Sequence, residues 1–253
     1  MIIIYQEGSR SERSDPVLTE ESRNPAPNEN LVAHTVRWQS RLPPILAVIA
    51  GMSDVIGFLS FKLFTAHITG NIVVIAALLV RGGPPDIAQV LAVPVFMVAV
   101  GFVWGISKSY GRRGRDLARL LLIIQFLLFV SVLLVSVVFN PAANPNGVFA
   151  AIVPLLAVSA IASQFTLLRI AFQGAPSTAV MTGNTTNLVL SLLDSISRGE
   201  PLIRGATERL KKTLGALVGF FAGCLAGAAA VSWFGNWSWS FPVAVAAIAV
   251  ILL

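Results

Sequence analysis

The chain has 253 residues, of which 55% are hydrophobic and 12% are charged, and its mean hydropathy is +0.79. This composition excludes a soluble globular domain, because such a domain cannot bury so much apolar surface. The net charge of +6 does not indicate nucleic-acid binding, because the basic residues flank apolar runs and form no patch with interleaved aromatic residues.

The first 42 residues form a polar segment that holds six of the twelve acidic residues. Low hydrophobicity together with Pro, Asn and Ser predicts a disordered cytoplasmic tail over 1–42, followed by a membrane domain over 43–253. The apolar run that opens the chain, "MIII", is too short for the core of a signal peptide.

Eight hydrophobic runs follow the tail. They cover 44–61, 68–80, 87–106, 117–139, 148–168, 180–193, 213–233 and 240–253. A helix needs about 20 residues to cross the hydrocarbon core of a bilayer, which is about 30 Å thick. The runs Ile68–Val80 and Val180–Leu193 have only 13 and 14 residues, and as helices they would reach about 20 Å. These two runs are predicted to be half-helices that enter the membrane and leave on the same side, beside about six transmembrane helices.

The positions of the basic residues favour this topology. If all eight runs crossed the membrane, seven of the eighteen Lys and Arg residues would lie outside. With two re-entrant runs and a cytoplasmic N-terminus, sixteen lie inside, and only Lys62 and Arg81 lie outside. Cytoplasmic loops are enriched in Lys and Arg, so the second arrangement is preferred.

Two further segments assigned to the outer side carry no charge. The segment "NPAANPNG" at 140–147 is a natural boundary between two halves. The segment "WFGNWSWS" at 233–240 supplies Trp233, Trp237 and Trp239, which are predicted to form an aromatic belt at the membrane interface.

The tripeptide Thr-Gly-Asn occurs at the start of both short runs, at 69–71 and 182–184, 113 positions apart. Each half then contains one crossing, one re-entrant segment and two further crossings. Repeat A covers 43–139 and repeat B covers 148–253. Because each half has an odd number of crossings, the repeats are predicted to be inverted, a plan found in transporters and channels.

The two tripeptides are predicted to form turn points near the membrane midplane. Thr and Asn would cap the half-helices and Gly would permit the bend, while free N–H groups and the positive dipole ends would hold an anion or a neutral solute. Irregular backbone at this depth must be buried in protein or line a cavity. The predicted substrate-binding residues are Asp54, Thr69, Gly70, Asn71, Gln164, Thr182, Gly183 and Asn184.

Asp54 is the only acidic residue inside a predicted span, where a carboxylate requires a cavity or a partner. It is either a proton- or cation-binding group, or a protonated or locally paired residue that ties helices together. Gln164 corresponds to Gly51 across the 113-residue offset and either lines the same cavity or bonds between helices. His67 and Arg169 are possible further site residues, although His67 could be purely structural and Arg169 could simply extend to the interface.

Glycines spaced four residues apart occur in the spans that follow both tripeptides, and small residues at this spacing predict close helix packing. They are Gly101 and Gly105 in repeat A and Gly215, Gly219, Gly223 and Gly227 in repeat B. The sequence leaves open whether this face packs within the chain or between copies in a homo-oligomer.

No enzyme motif is present, such as a phosphate loop, a zinc-protease helix or a Ser/His/Asp set. We therefore expect no catalytic residue and no cofactor. The single cysteine, Cys224, lies in an apolar run without metal-ligand spacing, so neither a disulfide nor a metal site is expected. The expected partners are the lipid bilayer and an unidentified small solute.

Residues 50–71, "AGMSDVIGFLSFKLFTAHITGN", resemble the YoaK-like family of small bacterial membrane proteins of unknown function. That family has a Gly-x-x-Asp-x-x-x-Phe stretch, matched by Gly51, Asp54 and Phe58, and then a Thr-Gly-Asn segment, matched at 69–71.

Residues 163–188 resemble the second signature of that family, with matches at Gln164, Arg169, Thr182 and Gly183. Phe165 stands where the family usually has Asn, and Asn184 stands where a small or hydroxyl residue is expected. The resemblance covers about 40–253. It implies a multi-pass protein of the bacterial cytoplasmic (inner) membrane and implies no particular substrate.

Together these features predict an all-α integral membrane protein of about six transmembrane helices and two half-helices, arranged as inverted repeats. The expected function is a transporter or channel for a small solute, with a midplane site formed by both Thr-Gly-Asn turns and Asp54. The alternative is a non-transporting membrane scaffold or assembly partner that packs through its glycine-bearing helices.

Overall fold

The computed structural model describes residues 29–110, 115–144, 147–172, 176–178, 181–198 and 204–253. Within these ranges the protein is all-helical and contains no β-strand. The helices are α1 (Glu29–Phe61), α2 (Ile68–Val80), α3 (Ile87–Ser109), α4 (Arg115–Phe139), α5 (Val148–Ala171), α6 (Met181–Arg198), α7 (Arg204–Phe234) and α8 (Ser240–Leu252). Short 3-10 turns, Pro141–Ala143 and Gly235–Trp239, follow α4 and α7.

Several helices are long and apolar enough to cross a membrane. In the described chain these stretches are Leu42–Phe61, Ile87–Ser109, Arg115–Phe139, Val148–Ala171 and Leu210–Leu252. The last has 43 residues, about 65 Å as one helix and so about twice the hydrocarbon thickness. A turn at Gly235, whose φ is +51°, divides it into α7 and α8. The protein is therefore a multi-pass α-helical membrane protein.

Several helices, α1 and α6 among them, extend beyond the apolar runs that predicted them. Helix α1 begins at Glu29, so residues 29–42, which the sequence assigned to a disordered tail, are helical, whereas 1–28 lie outside the described residues. Helix α6 has 18 residues instead of the expected 14, because it continues through a polar turn to Arg198. Hydropathy marks where apolar surface ends, and a helix can continue past that point with its backbone bonds intact.

Helices α1 and α7 are parallel, and their backbones touch. A Cβ built onto Gly219 would lie 2.6 Å from the carbonyl oxygen of Pro44, and one on Gly227 would lie 2.9 Å from that of Met52. Gly51 on α1 makes the reciprocal approach to the backbone of Phe220. The contact advances in the same direction along both helices, and glycine is what allows the backbones to approach this closely.

Helix α4 lies antiparallel to α8. The rings of Phe129 and Trp239 stack with centroids 6.5 Å apart, and the Arg115 side chain donates to the carbonyl oxygen of Leu253 at the other end of the pair.

Helix α4 is also antiparallel to α5. The Ser163 hydroxyl donates to the carbonyl oxygen of Leu121 over 3.2 Å near the start of α4, while Phe139 at its end stacks on Phe149 with ring centroids 3.7 Å apart. Helices α5 and α8 therefore run in the same direction, opposite to α4.

The segment between α1 and α3 leaves and returns at the same end of the bundle. Lys62 follows α1 with a left-handed φ of +52°, and its carbonyl oxygen accepts a 3.1 Å hydrogen bond from the Gln89 side chain in the first turn of α3. The end of α1 and the start of α3 are therefore level. Between them the chain runs back along α1 until Ala66 and His67 reach Asp54, about two helical turns before Lys62, and α2 begins there.

The segment between α5 and α7 is built in a similar way at the opposite end of the bundle. The Gln164 side chain, two turns before the end of α5 at Ala171, donates a 3.0 Å hydrogen bond to Thr178, and α6 begins shortly afterwards at Met181. Gln164 also donates to the carbonyl oxygen of Leu46 near the membrane start of α1 over 2.9 Å. The end of α5 thus lies beside the start of α1.

The tryptophans expected at the interface do not all lie there. Trp233 and Trp237 are exposed, but Trp239 is 1% exposed and packs on Phe129. The 3-10 turn after α7 carries Trp239 into the bundle, and a short aromatic segment does not reveal which of its members turns inward.

Candidate functional site

Asp54 is the centre of a polar cluster at the start of α2. Asp54 is 4% exposed. Its Oδ1 accepts hydrogen bonds from the backbone N–H groups of Ala66, over 2.7 Å, and His67, over 3.3 Å. Helix α2 begins at the next residue, Ile68. The carboxylate therefore interacts with the positive end of the α2 dipole, where the sequence predicted an anion or a neutral solute.

His67 completes this cluster. Its Nδ1 bonds to Asp54 Oδ2, and the two groups form an ion pair when the imidazole is protonated. The bond to a carboxylate assigns a proton to Nδ1, so Nε2 is the atom that can exchange a proton or accept a hydrogen bond from another molecule. The imidazole is 38% exposed, while the Asp54 side chain is almost fully covered.

Three further hydrogen bonds shape the returning segment, one of them to α1 and two within the segment itself. The Thr65 hydroxyl donates to the Ser53 hydroxyl over 3.1 Å. The Asn71 side chain bonds both backbone groups of Phe64, donating to its carbonyl oxygen and accepting from its N–H, each over 2.8 Å. These contacts fix the loop that brings His67 to Asp54.

The two Thr-Gly-Asn tripeptides occupy the same place in their helices. Neither Thr nor Asn is the cap, because α2 begins at Ile68 and α6 at Met181, which puts both tripeptides inside the first turn. In both, Thr69 and Thr182 are exposed, Gly70 and Gly183 are partly covered, and the asparagine is buried.

Each asparagine bonds to the residue seven positions earlier. Asn184 donates to the carbonyl oxygen of Ser177 over 2.6 Å, as Asn71 does to Phe64. The repeated tripeptide therefore has a clear structural role, since its asparagine fastens each helix start to the loop that precedes it. This use of the amide explains the repetition without requiring direct contact with a solute.

Gln164 lies in a second polar cluster, where α1, α4 and α5 meet. Its Oε1 accepts from the Gln125 side chain over 2.8 Å, and its Nε2 donates to Leu46 and Thr178. Sequence reasoning missed Gln125, although an isolated amide in the apolar run 117–139 was a usable signal. Gln125 Oε1 is one of the two buried side-chain nitrogen or oxygen atoms that have no hydrogen-bond partner among the described residues.

The two clusters do not merge. Among the described residues no hydrogen bond joins them, and their attachment points on α1, Leu46 and Asp54, are eight residues apart, about 12 Å along the helix. Across the 113-residue offset Asp54 corresponds to the buried Leu167. The fold therefore has one acidic cluster and one amide cluster at different depths.

Arg169 lies away from Asp54. It is exposed in the last turn of α5, beside the start of α1, whereas Asp54 lies toward the other end of α1. The partner of Asp54 is His67, which the sequence offered only as a possible site residue.

The glycines divide into two groups. A Cβ at Gly215, Gly219, Gly223 or Gly227 would meet α1 at Pro44, Val48 or Met52, so this ladder packs within the chain. A Cβ at Gly101 or Gly105 would meet no atom of the described residues within 4 Å beyond the local backbone of its own helix. The α3 glycines therefore lie on an open face and do not pack helices of this chain together.

A cavity of about 410 Å³ borders the acidic cluster. Asp54 and His67 lie on its wall, together with the rings of Phe58, Phe64 and Phe220 and the thiol-bearing Cys224. Phe58 and Phe64 stack with centroids 4.6 Å apart, and Phe220 meets the His67 ring edge-on at 5.4 Å. The site thus combines one carboxylate–imidazole pair with mainly aromatic and aliphatic walls.

Comparison with known proteins gives a family and no function. No curated protein and no solved structure matches the chain. The sequence signature described as "Protein of unknown function (DUF1275)" matches residues 43–252, which include all eight helices except the first 14 residues of α1. The chain therefore belongs to the DUF1275 family, whose function is uncharacterised.

Proposed function

We propose that this protein is a membrane transporter or channel for a small solute, and that Asp54 and His67 are its central polar pair. The observation that carries the proposal is the buried carboxylate of Asp54, which lies at the start of α2 inside a segment whose two ends, near Lys62 and Gln89, are at the same end of the bundle. A carboxylate at membrane depth is costly and is retained where protons, ions or solutes pass. The adjoining cavity gives a solute access to it.

The arrangement of the helices supports inverted repeats. If α1 to α4 correspond to α5 to α8, the packed helix pairs are related by exchanging the two halves. The α1–α7 pair matches α5–α3, the α4–α5 pair matches α8–α1, and the α2–α3 pair matches α6–α7. In this arrangement α2 and α6 are re-entrant half-helices and six helices cross the membrane. Such repeats allow alternating access to a site between them.

The basic residues support a cytoplasmic N-terminus in the inner membrane. Lys108, Arg119 and Arg169 lie at the end of the bundle where α1 enters it, and so do Lys211 and Lys212 at the start of α7. Positive charge collects on the cytoplasmic side. We also infer that the YoaK-like signatures at 50–71 and 163–188 are the local features of this family.

The scaffold alternative has less support than the transporter, because the ladder on which it rested packs against α1. A homo-oligomer remains a separate proposal, for which the open α3 face at Gly101 and Gly105 is the available surface.

Topology labelling tests the architecture. In a Cys224→Ser background, single cysteines replace Arg81, Lys108 or Arg198, and intact cells are treated with a membrane-impermeant maleimide. We expect labelling at position 81 alone, and at 108 and 198 only after the cells are opened. Labelling of position 108 or 198 in intact cells would contradict the topology in which α2 and α6 are re-entrant.

Uptake tests the function. Purified protein in proteoliposomes is given a panel of radiolabelled organic cations, anions and neutral solutes with and without a pH gradient. We expect at least one solute to enter at least tenfold faster than into protein-free vesicles. Uptake equal to that of protein-free vesicles for the whole panel, by protein that retains its helical circular dichroism, would contradict the proposal.

A further inference from the structure

We propose that the cavity beside Asp54 binds a hydrophobic organic cation, such as an alkyl- or arylammonium ion, in exchange for the proton on His67. This inference rests on the proposed function, because it names the solute class of the same site. Three observations carry it: the composition of the walls, the charge of the Asp54–His67 pair, and the position of His67 between that charge and the open space.

The walls select for a solute with one polar group. The aromatic rings of Phe58, Phe64 and Phe220 surround the pair, and the titratable groups that face His67 across the cavity are Asp54 from α1 and Cys224 from α7. Helix α2 contributes Gly70 to the wall and contains no titratable residue. A sugar or an amino acid needs several hydrogen-bond partners when it leaves water, and these walls do not supply them.

The charge of the pair selects for a cation. With His67 neutral, the buried pair carries one negative charge, which the positive end of the α2 dipole offsets only in part. None of the described residues that line the cavity is a lysine or an arginine. Aromatic faces add attraction for an ammonium group. With His67 protonated the pair is neutral, so an incoming cation loses its counter-charge.

Proton and cation therefore compete. The Nδ1 proton stays in the bond to Asp54, so the proton that leaves for water on cation binding is the one on Nε2. By linkage, lower pH weakens cation binding, by up to tenfold for each pH unit below the pKa of His67. An anion would show the opposite dependence, since it would bind better when His67 is protonated.

Cys224 supplies a binding assay that does not depend on transport. It is the only cysteine in the chain and it lines the cavity, so an occupant should slow its alkylation by N-ethylmaleimide. The probe is benzyltrimethylammonium, which carries its charge at every pH. The matched control is neopentylbenzene, which has the same shape without charge, and phenylacetate tests the anion. At each pH the alkylation rate with ligand is divided by the rate without ligand.

We expect saturable protection by benzyltrimethylammonium, with an apparent affinity at least tenfold higher at pH 8 than at pH 5.5. Asp54→Asn should weaken protection at least tenfold at pH 8. His67→Gln, whose amide can still donate to Asp54, should bind equally at both pH values. Ser131→Ala, which alters an exposed hydroxyl on α4 that bonds only to Leu127, should behave as wild type.

Equal protection by neopentylbenzene, better protection by phenylacetate, or no protection at any pH would overturn the inference. If Asp54→Asn fails to fold, the loss of pH dependence in His67→Gln decides the matter. The two proposals fail separately. If the cation protects Cys224 but no solute is taken up, the transport proposal is contradicted and the cation site stands. If an anion or a polar solute is taken up and the cation gives no protection, the cation site is contradicted and the transport proposal stands.

Discussion

Replacing Gly223 with alanine should destabilise the fold by about 3 kcal/mol or more, because the added methyl group would overlap the carbonyl oxygen of Val48 and lie 3.0 Å from its Cα. These are backbone atoms of α1, so no side-chain rotation can relieve the overlap, and α1 and α7 must separate. The measurement is the thermal unfolding midpoint of detergent-solubilised protein, followed by circular dichroism.

Gly105→Ala is the matched control, since it adds the same methyl group at the equivalent place on α3, where it meets no described atom within 4 Å beyond the local backbone of its own helix. Its midpoint should stay unchanged or rise slightly, because alanine is the better helix former. Equal losses in both variants would show that glycine matters here for a reason other than contact between α1 and α7.

Replacing Asp54 with asparagine should reduce solute uptake at least tenfold, whichever solute is identified. Asparagine keeps an oxygen that can accept from the backbone of Ala66, but it removes the negative charge and the ion pair with His67. The expected thermal shift is therefore smaller than the functional loss. Initial uptake rates and unfolding midpoints are measured on the same preparations.

Two variants make the Asp54 result specific. Thr69→Ala changes an exposed side chain in the first turn of α2 and should leave uptake within about twofold of wild type, because a surface substitution of this kind has a small effect. Asp54→Leu introduces the residue that the second half has at the equivalent position, Leu167, and should be at least as inactive as Asp54→Asn. Normal uptake by Asp54→Asn would mean that the carboxylate only ties α1 to the loop.

Hydropathy predicted the short helix of the first half well, and the acidic cluster poorly. The run Ile68–Val80 coincides with α2, because the apolar stretch is bounded by polar residues on both sides. The sequence did not predict that His67 is the partner of Asp54. Neither hydrophobic periodicity nor a count of charges shows how far a loop turns back along the helix before it. The link between His67 and Asp54 depends on the left-handed residue Lys62, whose conformation leaves no sequence signal.

Repetition in the sequence predicted matching local structure in the two halves, whereas a solute-binding role for the repeated residues stays a prediction. The two Thr-Gly-Asn segments are in register, yet the buried atom in each is an asparagine amide bonded to the preceding loop. The same limit applies to the glycines. Their four-residue spacing is shared by α3 and α7, but among the described residues only the glycine face of α7 has a helix packed on it. The spacing alone does not show which element, if any, lies against such a face.

The packing of α1 against α7 also constrains the order in which the helices can assemble during synthesis. The touching positions, such as Pro44 with Gly219 and Met52 with Gly227, are separated by about 175 residues of chain. At a synthesis rate of roughly 5–20 residues per second, the first helix waits roughly 10–35 seconds for the partner that covers it. During that interval the side of α1 that packs on α7 faces lipid or the insertion machinery, so α2 to α6 are all synthesised before α1 acquires its permanent neighbour.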